Sequence, residues 1–184
     1  HSPALLEGMD RAVARVLSAI NKGERIAIYA DFDCDGIPGA AILSDFFSKI
    51  EYKNVEVYIP HRDREGYGFH EDAIKALAER GVTLIITVDV GTSAREAVSY
   101  AKKLGVDVIV TDHHEILGAL PDAVAVLNPK LGPPTGGYPF RDLCGAAVAF
   151  KLVQALLQEG RKHSTPHFHD IPAGWEKWLL DLVG

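Results

Sequence analysis

The chain has 184 residues, 47% of them hydrophobic and 24% charged. That is the composition of one globular domain with a substantial core, not of a disordered, collagenous or coiled-coil segment. The formal net charge of −6, from 25 acidic and 19 basic residues, argues against a surface that holds polyanions by bulk positive charge, unless aspartates carry cations that reverse the local field.

No apolar run approaches the about 20 residues that a bilayer span needs, and no basic segment leads into an apolar one at the start. Cys34 and Cys144 are the only cysteines and form no paired motif. A cytoplasmic protein without membrane contact is expected. From Gly8 to Asn21 the apolar residues Met9, Ala12, Val13, Val16, Leu17 and Ile20 fall on one helix face. The run Arg25 to Ala30 reads as a buried strand, and Gly39 to Ile50 as the helix after it. The alternation recurs: strand Val55 to Ile59, helix Glu71 to Glu79, strand Val82 to Val88, helix Ser93 to Leu104 and strand Val106 to Thr111. A short apolar piece, Ala123 to Leu127, precedes the Pro/Gly-rich connection Asn128 to Tyr138.

A long helix is expected from Asp142, a suitable N-cap, to Gln158. The polar stretch 160–172 carries His163, His167 and His169, which without acidic company read as loop rather than as a metal site. The segment Trp175 to Val183 is amphipathic, with Trp175, Trp178, Leu179 and Leu182 as core candidates. Strands joined by helices imply an α/β fold: a mostly parallel sheet of about five strands with helices on both faces, followed by a helical C-terminal segment. Residues 1–141 form the metal-binding α/β domain on this reading, and 142–184 a helical extension of it.

Ligands of open parallel sheets bind beyond the carboxyl ends of the strands. Three such ends carry clusters: Asp31-Phe32-Asp33-Cys34-Asp35-Gly36, Asp89-Val90-Gly91 and Asp112-His113-His114. Carboxylates at alternate positions point the same way, so their oxygens can surround a hard divalent ion, with imidazole joining for manganese. A calcium-binding EF-hand would need Glu at the twelfth loop position, where Ile42 stands, and a helix before the loop. An aspartyl-nucleophile phosphatase would leave the third aspartate and the His-His pair without a role. Cys34 alternates to the opposite side and reads as a buried thiol.

In order along the chain, these motifs resemble those of the DHH phosphoesterase superfamily. Ile59-Pro60-His61-Arg62 with Glu65-Gly66-Tyr67-Gly68, then Leu127-Asn128-Pro129-Lys130 and Val148-Ala149-Phe150-Lys151-Leu152, resemble the RecJ-type single-strand-specific exonucleases in particular. The resemblance implies two divalent cations, manganese first and magnesium as the alternative, and hydrolysis by metal-activated water. Carried over by motif, Asp31 and Asp33 lie on one metal, Asp35 and His113 on the other, and Asp89 bridges them. Asp112 orients the histidines and His114 faces the scissile phosphate.

Arg62 and Tyr67, on the loop after the second strand, are the candidate substrate contacts. The implied substrate is single-stranded DNA, cut 5′ to 3′ into mononucleotides during repair and recombination, with single-strand-binding or replication proteins as partners. The alternatives are a cyclic-dinucleotide or short-oligonucleotide phosphodiesterase or a pyrophosphatase, which share the metal logic, and a non-catalytic nucleic-acid-binding replication module, which keeps the fold without the metals. RecJ-like chains continue into a further metal-ligand motif and a second domain, so this chain reads as part of a longer enzyme. Val90 and Thr92 stand where the family usually has Cys and Ile, which reads as repacking.

Overall fold

A computed structural model describes residues 1–132, 137–162, 166–168 and 170–183. Within them, β1 (Arg25–Ala30), β2 (Val55–Tyr58), β3 (Val82–Val88), β4 (Asp107–Thr111) and β5 (Ala125–Leu127) pair in parallel throughout, in the order β2-β1-β3-β4-β5. Parallel neighbours need crossovers, supplied by α2 (Gly36–Lys49), α3 (Glu71–Glu79) and α4 (Arg95–Lys103), while α1 (Met9–Lys22) precedes the sheet and α5 (Gly145–Lys162) follows it. The apolar piece at Ala125–Leu127 is the fifth strand.

Alternation along the strands divides the interior into two layers. Ile26, Ile28, Leu84, Ile86 and Ile109 pack with α1, α2 and α5 on one face. Ala27, Tyr29, Ile85, Val108 and Val110 pack with α3 and α4 on the other. Burial on both faces is why the strands read as continuous apolar runs rather than alternating ones.

The structure departs from the sequence reading at helix ends. The first motif itself opens α2 at Gly36, three residues earlier than expected: Asp33 Oδ1 accepts the amides of Asp35 and Gly36, each at 2.8 Å. Pro38 then sits in the first turn, where a missing N–H costs nothing. Asp142 does not cap α5, which begins at Gly145.

Trp175–Leu182, expected as amphipathic and helical, is a 3₁₀-helix. Leu179 and Leu182, one 3₁₀ turn apart, share a face against the core, and Trp175 packs against it as well, whereas Trp178 is 79% exposed. Cys34 is exposed rather than buried, because the chain turns into α2 there instead of continuing as a strand. His163 and His169 lie outside the described residues, and His167 Nδ1 is 3.0 Å from the Ile50 carbonyl. Among the described residues no helix is long and apolar enough to cross a membrane.

Candidate metal centre

Strand register decides what meets at the carboxyl edge of the sheet. Ala30 pairs with Val88, Val88 with Thr111 and Thr111 with Leu127. The row one residue further on is therefore Asp31, Asp89, Asp112 and Asn128. Backbone bonds carry the ladder that one step past the strands: the amides of Asp31, Asp89 and Asp112 donate to the carbonyls of Val88 (3.1 Å), Thr111 (2.9 Å) and Leu127 (3.0 Å). All four polar side chains are buried. The sheet order places the topological switch between β1 and β3, so Asp31 and Asp89 flank the crevice where such sheets bind ligands.

Asp31, Asp33 and Asp89 each present an oxygen within 4.8 Å of the others, and Asp89, His113 and His114 form a second such group. The buried Oδ1 atoms of Asp31 and Asp89 accept no hydrogen bond among the described residues. His113 Nε2 stands 3.1 Å from Asp89 Oδ1 and 3.4 Å from Asp35 Oδ2, in ion-pair range but without hydrogen-bond alignment to Asp89. Burial, reinforced by the charges of Asp35 and Asp33, pushes the Asp89 carboxyl up to about 8. Burial and Asp33 also raise Asp31. For Asp33 the same burial is outweighed by the amides of Gly36 and Asp35, and its carboxyl lies below the ordinary range.

Unbonded buried carboxylate oxygens that resist ionisation are costly unless a cation neutralises them. The donor set of hard oxygens with one or two imidazoles suits manganese or magnesium, so the residues fit the implied metals. Asp35 is brought to the same place, yet both its oxygens are already engaged: Oδ2 accepts the Gly145 amide and Oδ1 the Ala146 amide, each at 2.7 Å. It caps α5 from across the molecule, and each carboxylate oxygen keeps a further lone pair.

Two glycines let this happen. A Cβ at Gly145 would lie 2.7 Å from Asp89 Cβ and Oδ1, and one at Gly39 would lie 2.5 Å from Val88 Cγ1. Asp89 itself takes a left-handed φ of 59°, a conformation for which aspartate is among the better-tolerated non-glycine residues.

Asp112 differs from its neighbours in being fully bonded. Its Oδ1 accepts the His113 amide (2.7 Å), the His114 amide (3.2 Å) and His114 Nδ1 (2.7 Å), and its Oδ2 accepts the Thr92 amide (2.8 Å). Against the upward pull of burial, the bonds from His114 and Thr92 hold its carboxyl down at about 2. The Asp112 bond in turn raises the His114 imidazole. With Nδ1 directed at Asp112, His114 keeps Nε2 for a ligand.

Asn128 completes the row by donating to the His114 carbonyl (2.9 Å) and to Thr92 Oγ1 (3.0 Å). The Thr92 hydroxyl, which accepts that Asn128 bond, is thus more than repacking, since Ile in its place would have no acceptor. Neither Thr92 nor Asn128 was singled out by residue type. Counting one residue past each strand finds Asn128.

The loop from His61 to His70 overhangs the centre. Tyr67 Oη lies 3.4 Å from His114 Nδ1, and the Arg62 guanidinium stacks on the Phe32 ring at 4.6 Å. Both side chains are exposed.

The model of the DHH family, N-terminal domain, matches residues 25–180. The chain belongs to the DHH family. It is 45% identical to the single-stranded-DNA-specific exonuclease RecJ of Bacillus subtilis over 159 residues, 86% of this chain and 20% of that protein. To RecJ of Escherichia coli it is 37% identical over 178 residues, 97% of this chain and 30% of that protein.

Among solved structures, exonuclease RecJ bound to manganese matches 96% of this chain and 47% of that one, with a TM-score of 0.75 and 31% identity. RecJ from Thermus thermophilus in complex with Mn2+ matches with a TM-score of 0.71 and 28% identity, over 96% of this chain and 26% of that one. The all-parallel sheet with helices on both faces is therefore the DHH-domain fold. The chain spans less than a third of the length of these two curated relatives.

Proposed function

We propose that this chain hydrolyses phosphodiester bonds with two divalent cations, manganese first and magnesium as the alternative, as a cytoplasmic 5′-to-3′ exonuclease that releases 5′-mononucleotides from single-stranded DNA. The observation that carries the reading is the pair of buried, unbonded oxygens on Asp31 and Asp89 at the β1/β3 crevice, with His113 beside them. The names of the RecJ relatives supply the substrate class.

In this reading Asp31 and Asp33 would hold one cation, Asp35 and His113 the other, and Asp89 would serve both. The cations, when bound, acidify water and neutralise charge growing on the phosphate oxygens. The rest falls to the chain's own groups. Asp89 would have to lose its proton to serve as a ligand. Asp112, held by Thr92 and the histidine amides, keeps the His114 proton on Nδ1 and stabilises the imidazolium, whose Nε2–H then donates to a phosphate oxygen. Arg62 and Tyr67 meet the substrate from the overhanging loop. Phe32 holds the guanidinium plane in place, so the fork can engage phosphate at little ordering cost.

The test is release of mononucleotides from an end-labelled single-stranded oligonucleotide by the intact natural chain, with manganese titrated in and Asp89→Ala alongside. The reading expects manganese-dependent 5′-mononucleotides, absent in the variant, and two metal equivalents by elemental analysis. Hydrolysis of cyclic dinucleotides or pyrophosphate with DNA left intact would replace the substrate. Absence of bound metal would refute the chemistry.

A further inference from the structure

A cleft of about 930 Å³ opens beside His114 and Asp112, outside the carboxylate cluster. Phe69, Val90 and Ala97, all buried, give it an apolar lining. Tyr67, from the loop after β2, and Leu117, from the loop after β4, also line it and are unusually exposed for their type, at 53% and 85%. Large apolar groups left this bare beside a polar centre mark a surface made for a ligand.

The charges say which part of a ligand. Glu71 and Glu96 line the cleft with Arg95, while Glu115 is paired with Lys130 at 2.8 Å. There is no surplus of positive charge, and a phosphate there would meet two carboxylates against one guanidinium. The apolar lining and carboxylate rim suit an uncharged, flat group carrying hydrogen-bond donors, which describes a base on its sugar.

We propose that this cleft is a nucleoside subsite, which takes the base and sugar of a nucleotide adjoining the scissile phosphate, the base packing between Tyr67 and Leu117. The proposal rests on the phosphodiesterase reading above and deepens it. The phosphate goes to the carboxylate centre, the base to the cleft, and His114 stands at the boundary, lining the cleft while its ring approaches Asp89 at 3.8 Å. Leu117 contributes contact area and no hydrogen bond, so its own contribution does not depend on which base is bound.

The experiment is single-turnover release of the first nucleotide by the intact chain, its Leu117→Ala variant and the conservative Leu117→Met. Substrates are normal oligonucleotides and oligonucleotides abasic on one side, the other, or both sides of the first scissile phosphate. Leu117→Ala is expected to lower kcat/KM about tenfold on normal DNA, within the range for losing one stacked base, with metal content and Tm unchanged. Leu117→Met is expected to retain the wild-type value. The loss should vanish when the nucleotide on the cleft side is abasic, because there is then no base for Leu117 to hold.

An equal loss on doubly abasic DNA, or no loss on normal DNA, would overturn the subsite while leaving the phosphodiesterase intact. A wild-type chain that cuts none of the oligonucleotides would overturn the phosphodiesterase reading itself, and the subsite with it.

Discussion

Asp35 and Gly145 meet across 110 residues of sequence, the Asp35 Oδ2 accepting the Gly145 amide at 2.7 Å while Oδ1 takes the next amide, from Ala146. One carboxylate thus satisfies two otherwise orphaned donors of α5 and faces its helix dipole, as an N-cap residue does from within its own chain segment. The same carboxylate is a proposed ligand, so cap and metal centre share a part. Asp35→Ala should lose about 1–2 kcal/mol of stability in the metal-free protein and one metal equivalent. Asp35→Asn keeps one acceptor oxygen and should recover much of the stability but not the metal. Denaturant melts and metal counts on both variants separate the two roles; a normal metal count in Asp35→Asn would remove Asp35 from the ligand set.

Gly145 has a second duty, since its missing side chain leaves room for Asp89. Gly145→Ala sets a methyl 2.7 Å from Asp89 Cβ and Oδ1, too close for either group to stay. Overpacking of this kind costs about 1–3 kcal/mol. Displacing a central carboxylate should weaken manganese binding on the order of tenfold or more, the scale seen when groups that orient ligands are lost. Ala147→Gly, two residues on in the same helix, is the control: a helix-propensity loss of about 1 kcal/mol with manganese affinity unchanged.

These relationships bear on what could be read from the sequence. Strand positions were legible because doubly buried strands are unbroken apolar runs, as in Val82–Val88. The clusters at Asp31, Asp89 and Asp112 were legible because each follows such a run. The start of α5 was not: its cap comes from Asp35, and a propensity argument searches only nearby residues, where Asp142 was the obvious candidate. In the Trp175–Leu182 segment only Trp178 was misplaced, on the core side with Trp175, Leu179 and Leu182, since helical spacing does not distinguish three residues per turn from 3.6. Thr92 reads only as repacking and Asn128 only as part of a motif, because their roles lie in what they bond, Asp112 and the His114 carbonyl, and not in their own chemistry.

The raised Asp89 carboxyl gives the metal-free protein an unusual pH dependence. An unfolded aspartate loses its proton near pH 4, whereas folded Asp89 keeps it up to about 8. Between those values the native state holds the extra proton, so stability falls as pH rises through that window. His114, also raised, adds the same sign above its unfolded value. In chelator, Tm should fall steadily from pH 5 to pH 8, and Asp89→Asn should flatten much of that slope. Saturating manganese should reverse the trend, because binding displaces the Asp89 proton and tightens as pH rises. A slope unchanged by Asp89→Asn would show that the proton resides elsewhere.

Asp112 should act through His114. Asp112→Asn keeps an acceptor oxygen but exchanges the other for a donor, which opposes the Thr92 amide and removes the charge behind the His114 Nδ1 proton. Activity should drop by about 10²- to 10⁴-fold, the range for losing the carboxylate that sets a catalytic histidine's tautomer, with the metal count intact. The His114 ring should also titrate at lower pH by nuclear magnetic resonance. Full activity with an unshifted His114 would reduce Asp112 to a packing role.

Glu65 is the residue whose loss should separate substrate affinity from metal chemistry. Its Oε1 accepts the Tyr58 hydroxyl at 2.5 Å and its Oε2 the His61 amide at 2.7 Å, closing the base of the loop that carries Arg62 and Tyr67. Tyr29, buried between strand and loop, holds the far end by donating to the Gly68 carbonyl at 2.9 Å. With both ends fixed, the loop reaches substrate already ordered, and that entropy is not charged to binding. Glu65→Ala should therefore raise KM for an oligonucleotide about tenfold with a smaller change in kcat, which corresponds to an ordering cost of about 1.4 kcal/mol. Manganese affinity should stay the same. Because Glu65 is exposed, global stability should fall by less than about 1 kcal/mol. Tyr58→Phe removes one of the two bonds and should give an intermediate KM. A loss confined to kcat, or equal losses of affinity for manganese and DNA, would mean that Glu65 supports the metal centre rather than the loop.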